Sequence, residues 1–315
     1  MQMRFSRGRG CVKAIRVLGC IALVLLGQAF VTGDASAGHL VPVEGVSSVQ
    51  AEFMVGKSQR RALYIRPTVR KPGLAPAIVL LHYAGGDPES MANLTAISKL
   101  VRDTGIWAIL PEARGRSWST DPVRDANGPD DVGLLTQVID FSISAFPIDP
   151  KRVYMAGFSA GGFMTIRYVC DHPERIAAAA YVSATLIDSL RSRCKSSYPM
   201  PILAINGTDD FSVPYYGGRL GLASAPQTAE FFAGINRCQS PPLRSELPNV
   251  AKDYTRVVLD SYTVCASEAP VLFYTVNGGG HAWPGTRYQS SLLRRVSYDI
   301  DATQLIGAFL SQYQR

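Results

Sequence analysis

The chain has 315 residues, with 32 Lys and Arg against 25 Asp and Glu, and a formal charge of +7. Charged residues make up 18% and hydrophobic ones 47%, a balance that excludes a disordered, coiled-coil or collagen-like chain. Much of the positive charge lies in the first 37 residues, so the excess does not argue for nucleic acid.

Arg4, Arg7, Arg9, Lys13 and Arg16 precede an apolar run from Val17 to Val31. Ala35-Ser36-Ala37 then offers small residues at the two positions a signal peptidase reads. This predicts a secretory signal peptide over residues 1–37 and one domain over 38–315. The apolar run is 15 residues, too short for a helix to cross a hydrocarbon core of about 30 Å. Leu18-Gly19-Cys20 is similar to a lipoprotein box, but Cys20 sits inside the run rather than after it. Cleavage would lower Lys and Arg from 32 to 27 and Asp and Glu from 25 to 24, leaving +3. The expectation is an exported protein, in periplasm or medium, with no nucleic-acid partner and no stable membrane anchor.

In chain order, Ala51–Val55 and Arg61–Arg66 read as an antiparallel hairpin. The basic stretch Lys57–Lys71, with Leu63 and Ile65 alternating among its charges, reads as a solvated edge strand. Short apolar runs follow at Ala77–His82, Trp107–Leu110, Val153–Ala156, Ala177–Val182, Ile202–Ile205 and Val271–Val276. Continuous rather than alternating apolar runs suit parallel strands covered by helices on both faces. Between them, Pro88–Asp103, Asp130–Phe146 and Ala160–Cys170 carry helical spacing, and Ala302–Gln312 closes the chain as a helix. Ala113–Pro129 reads as a surface loop and Tyr215–Val264 as an excursion off the sheet. Strand-helix alternation implies an α/β fold with a mostly parallel sheet.

Gly157-Phe158-Ser159-Ala160-Gly161 is weak as a bare pattern. Its placement between an apolar strand and a helix is what a nucleophile elbow requires. A serine hydroxyl needs a base. The candidates are His39, His82, His172 and His281. His39 is near the new N-terminus, His172 follows the helix in a surface turn, and His82 ends a strand and braces a loop. His281 lies on a loop after the last strand, where a base is supplied to such a serine. A carboxylate must then hold the imidazole. Strand Pro201–Ile205 runs into Asn206-Gly207-Thr208-Asp209-Asp210. Spacing does not separate Asp209 from Asp210, and Asp188 is a distant third. The chain order Ser…Asp…His is that of α/β-hydrolases. An oxyanion hole needs two backbone N–H groups: Ala160 after the nucleophile, and Tyr83 or Ala84 from the loop after an early strand.

Four cysteines remain after cleavage, Cys170, Cys194, Cys238 and Cys265. Three connectivities are possible, and the sequence-local pairs Cys170–Cys194 and Cys238–Cys265 are favoured. Each would close a loop of about 25 residues and contribute roughly 3.5 kcal/mol in the chain-entropy account. Their spacing does not suit zinc.

With these motifs in place, the chain resembles the secreted polyhydroxybutyrate-depolymerase-like esterases, a group that includes feruloyl and acetylxylan esterases. The matching segments are Leu81-His82 with Gly85-Gly86, Asp130-Asp131-Val132, Ile148 to Tyr154, Gly157–Gly162, Gly207–Pro214 and Gly278–Gly285. The resemblance implies an α/β-hydrolase fold and selects Asp210, the last residue of Gly-Thr-x-Asp. Cys238 and Cys265 also resemble the family's cysteine placement. One departure is Tyr83, where the family has glycine; its side chain could narrow the acyl pocket or its hydroxyl donate to the oxyanion. Trp118 and Trp283 are expected to flank the cleft. Asn93 and Asn206 begin glycosylation sequons.

The resulting expectation is a serine esterase needing no cofactor, acting on hydroxyalkanoate esters or oligomers. Alternatives are a feruloyl or acetylxylan esterase, a prolyl-oligopeptidase-like peptidase and a non-catalytic binding protein. A mature chain of 278 residues is expected to leave no room for a separate polymer-binding module, which favours oligomers, amorphous polymer or small esters over crystalline granules. Because the imidazole must be neutral to act, kcat/KM is expected to fall as pH drops through about 6.5, the ordinary histidine value.

Overall fold

The strands are β1 (Phe30–Thr32), β2 (Val46–Val55), β3 (Ser58–Pro67), β4 (Ala75–Leu81), β5 (Trp107–Pro111), β6 (Ile148–Phe158), β7 (Ala179–Val182), β8 (Ile202–Gly207), β9 (Leu243–Glu246), β10 (Arg256–Tyr262) and β11 (Val271–Asn277). The helices are α1 (Pro88–Thr95), α2 (Ile97–Thr104), α3 (Asp131–Ala145), α4 (Ala160–Asp171), α5 (Ala225–Ile235) and α6 (Ala302–Leu310). This computed structural model describes residues 30–32, 40–194, 198–218, 221–266, 268–288 and 295–315. Apart from residues 30–32, the expected signal peptide lies outside the described residues, as does His39. Phe30–Thr32 pairs antiparallel with β2.

The strands form one sheet in the order β1-β2-β3-β5-β4-β6-β7-β8-β11-β10-β9. The block from β5 to β11 is parallel, and the strands outside it are antiparallel. Side chains of a strand alternate between faces. In β4, Ala77, Val79 and Leu81 enter the core on the side of α3, α4 and α5, and Ile78 and Leu80 enter the core beneath α1, α2 and α6. Both faces being covered, the strand must be apolar at every position, which is why it reads as an unbroken run. Each such aliphatic side chain contributes on the order of 2 kcal/mol on burial. Strand order reverses between β4 and β6, and ligands of open α/β sheets bind at that kind of switch point, at the carboxyl ends of the strands.

Three expectations are corrected. Pro88–Asp103 is two helices, broken at Ala96, whose φ is +50°. The apolar spacing continues through the break, so sequence periodicity does not reveal it. The carbonyls it frees are bound from far along the chain: Thr286 Oγ1 donates to Leu94 O and Thr303 Oγ1 to Thr95 O, both at 2.6 Å. Lys57–Lys71 is not a solvated edge, because β3 lies between β2 and β5. Its Arg60 is buried, donating to Asp131 Oδ1 at 2.7 Å and to the Glu112 carbonyl, and Arg61 grips Glu89 and Glu112. Tyr215–Val264 does not leave the sheet: after α5 it supplies β9 and β10, which extend the sheet past β11.

Candidate active site

β6 ends at the switch point and turns directly into α4. Ser159 forms the turn with φ +54° and ψ −120°, a left-handed region that costs a non-glycine residue about 1–3 kcal/mol. Its N–H donates to Val182 O at 2.9 Å and its carbonyl accepts from Phe163 N at 3.0 Å, so β7 and α4 together hold the strained residue. Gly161 permits the turn, because a Cβ there would fall on the carbonyl of Leu81. The first N–H groups of α4 have no intrahelical acceptor, and a helix N-terminus favours negative charge beside it.

The acid and the histidine come from β8 and β11, which lie side by side in parallel register. Their loops zip together. Asp209 N donates to Gly279 O at 2.8 Å and Gly278 N to Thr208 Oγ1 at 2.8 Å. A Cβ on Gly207 would collide with the Gly279 carbonyl, so glycine is needed for that approach. The result brings into line three side chains whose ends lie 122 positions apart in the chain. His281 Nε2 lies 2.9 Å from Ser159 Oγ, and His281 Nδ1 lies 2.8 Å from Asp210 Oδ2. Asp210 is buried, and its Oδ1 accepts from Ser212 N at 2.9 Å and Val213 N at 2.8 Å. A carboxylate facing Nδ1 requires the proton there, which leaves Nε2 free to accept from the serine hydroxyl. The choice that sequence spacing left open falls on Asp210. Asp209 is half out in solvent, 3.8 Å from Arg295, and Asp188 pairs with Arg191.

His82, at the end of β4, is fully buried. Its Nδ1 donates to Tyr83 O at 2.8 Å and its Nε2 accepts from Ala113 N at 3.0 Å. It thus joins the loop carrying Tyr83 and Ala84 to the loop after β5. Burial, the largest influence, pushes its imidazole down to about 4, against weaker opposition from the Tyr83 carbonyl and from Asp87 and Asp131. Since the folded value lies below the ordinary 6.5, the unfolded chain takes up the proton first. The stability from a neutral His82 is therefore complete above about pH 6.5 and is lost as pH falls to about 4, a change of about 3 kcal/mol. Urea unfolding at pH 7.5 and 4.5 should show this loss in the wild type and a clearly smaller loss in His82→Gln. Equal losses would remove His82 as the cause.

Both tryptophans expected to flank the cleft are buried. Trp118 is buried, donates Nε1 to His82 O at 2.8 Å and packs on the His82 ring. Trp283 is buried two residues past His281 and donates Nε1 to Thr303 Oγ1 at 2.9 Å. Through Thr303 it ties the His281 loop to α1. Tyr83 is half-buried and meets the Phe158 ring edge-on at 5.8 Å. His172 sits in an exposed turn beside Glu174. Asn206 is buried and donates to Ala184 O, which is incompatible with a glycan in the folded state. Asn93 Oδ1 accepts from Val41 N. Cys170 bridges Cys194 and Cys238 bridges Cys265.

One residue escaped the sequence reading. Phe158 is buried, and its ring lies 5.1 Å from that of His281 at an interplanar angle of 31°, with Trp283 edge-on behind it. It occupies a variable position of the serine motif. Nothing in its spacing signals that it backs the imidazole.

Comparison with known proteins bears on the fold. The acetyl xylan esterase from Aspergillus awamori superposes with a TM-score of 0.54 at 16% identity, over 71% of this chain and 89% of that one. The fold is that of the α/β-hydrolases. Residues 71–225 match the phospholipase/carboxylesterase family. The NocK protein of Nocardia uniformis subsp. tsuyamanensis, assigned as an esterase, is 27% identical over 263 residues, which cover 78% of this chain and 76% of NocK. Feruloyl esterase B of Piromyces equi is 29% identical over 222 residues, 66% of this chain but only 40% of that longer protein.

Proposed function

We propose that this chain is an exported serine esterase that cleaves acyl esters of carbohydrates, of the feruloyl or acetyl kind, through an acyl-enzyme. The observation that carries the reading is the hydrogen-bonded line from Asp210 through His281 to Ser159. As Ser159 Oγ attacks the acyl carbon, His281 Nε2 takes its proton and Asp210 stabilises the imidazolium. The charge on the carbonyl oxygen is received by the Ala160 N–H and by that of Tyr83 or Ala84. The tetrahedral intermediate expels the alcohol, which leaves with the proton from His281. Water then attacks the acyl-serine with His281 as base, releasing the carboxylic acid and restoring the hydroxyl. The feruloyl and acetylxylan esterases among the similar proteins support the carbohydrate-ester class. Export rests on the predicted leader and on two disulfides, which persist in oxidising compartments.

A second reading, hydrolysis of hydroxyalkanoate oligomers, is supported by the Gly278–Gly285 run and the Cys238–Cys265 bridge. Purified protein should turn over nitrophenyl acetate and be labelled at Ser159 by a fluorophosphonate. A panel of methyl ferulate, acetylated xylan and hydroxybutyrate oligomers would then rank the two readings. Preference for aminoacyl anilides, or no labelling, would overturn both.

A further inference from the structure

We propose that the open groove beside the histidine loop is a subsite for a carboxylate that the substrate carries away from its scissile ester. The proposal rests on the esterase reading and adds the chemistry of the substrate's far end. The groove has a volume of about 640 Å³ and is lined by Asn249, Lys252, Tyr254, Arg256, Asn277 and Gly278 among others. Arg256 opens β10 directly opposite Asn277, the last residue of β11. Gly278 follows, and His281 is three residues further on. The groove therefore lies at the same carboxyl edge of the sheet as the catalytic histidine.

Its lining contains two cations and no acid. Among the described residues, neither Lys252 nor Arg256 has an ion-pair partner, although both are exposed. The acids nearby are held by other partners. Asp253 accepts from Thr255 N, Thr255 Oγ1 and Tyr298 N. Asp299 Oδ1 accepts from Val250 N at 2.8 Å and Ala251 N at 2.7 Å. Asp209 faces Arg295. With the Asn249 amide oriented to satisfy its neighbours, its oxygen accepts from Arg256 Nη1 at 3.2 Å and its nitrogen donates to Asp299 Oδ2 at 3.2 Å. That arrangement steadies the guanidinium without neutralising it. Tyr254 stands above the groove, 88% exposed with φ +64°, and offers a ring face for an aliphatic or sugar C–H surface. Two cations without an ion-pair partner among the described residues, beside an aromatic face, suit a carboxylate on an otherwise uncharged chain.

Such a group occurs at the end of a hydroxyacid oligomer and on an acidic sugar, and matched substrates separate the two. The wild type should cleave a hydroxybutyrate trimer as free acid about tenfold more efficiently than as methyl ester, or an acetylated xylo-oligosaccharide bearing a uronic acid about tenfold more efficiently than one without. The preference should shrink at high salt. Preference in the first pair alone identifies the chain end, and preference in the second alone identifies the acidic sugar. Lys252→Gln combined with Arg256→Gln should abolish the preference and leave nitrophenyl acetate turnover unchanged. Lys252→Gln alone, in a loop, should halve it or more without touching a strand. No preference in either pair, or one that survives the double variant, overturns the proposal while nitrophenyl acetate turnover still upholds the esterase reading.

Discussion

Ser159→Ala is expected to lower kcat/KM on nitrophenyl acetate by roughly 10⁵-fold, or about 7 kcal/mol in the barrier. The substitution removes one oxygen. It keeps the backbone of the elbow, because alanine also has to adopt the positive φ that Ser159 adopts. Thermal unfolding should therefore move by no more than a few degrees, and fluorophosphonate labelling should vanish. A variant within tenfold of wild type would mean that the serine in the elbow is not the nucleophile, whatever its hydrogen bond to His281.

Asp210→Asn should cost about 10⁴-fold in kcat with little change in fold. The side-chain oxygen that faces the Ser212 and Val213 N–H groups can stay where it is. The amide nitrogen then points at His281 Nδ1 and donates to it. That moves the imidazole proton to Nε2, where it meets the serine hydroxyl instead of accepting its proton. Asp209→Asn, by contrast, alters only an exposed pair with Arg295 and should leave kcat/KM within about twofold, since such pairs contribute little. The two variants assayed side by side decide between adjacent carboxylates that sequence spacing treats alike. Similar activities for both would remove Asp210 as the residue that orients His281.

Much of the fold was legible because burial on both faces leaves a mark on composition. β4 and β5 are apolar throughout and β8 is so from Ile202 to Ile205, and the runs that predicted them lie within a few residues of their observed ends. What was missed shares one cause. The break at Ala96 is stabilised by hydroxyls of Thr286 and Thr303, roughly 200 residues away. β3 reads as a solvated edge because its arginines look free, yet their partners Glu89, Glu112 and Asp131 come from other elements. β9 is exposed at every position, so it carries no hydrophobic signal, and only pairing with β10 makes it a strand.

The sequence by itself determined the alternation of strands and helices, the serine in its glycine-flanked turn and the histidine in its glycine-rich loop. Each is encoded locally, by backbone freedom and by the period of apolar side chains. The tertiary structure alone decided which carboxylate faces the imidazole, that both tryptophans are buried, and that Phe158 backs His281. It also decided that two cations line a groove without acids. These are relations between side chains far apart in the chain, and they exist only once β8, β10 and β11 lie next to one another in the sheet.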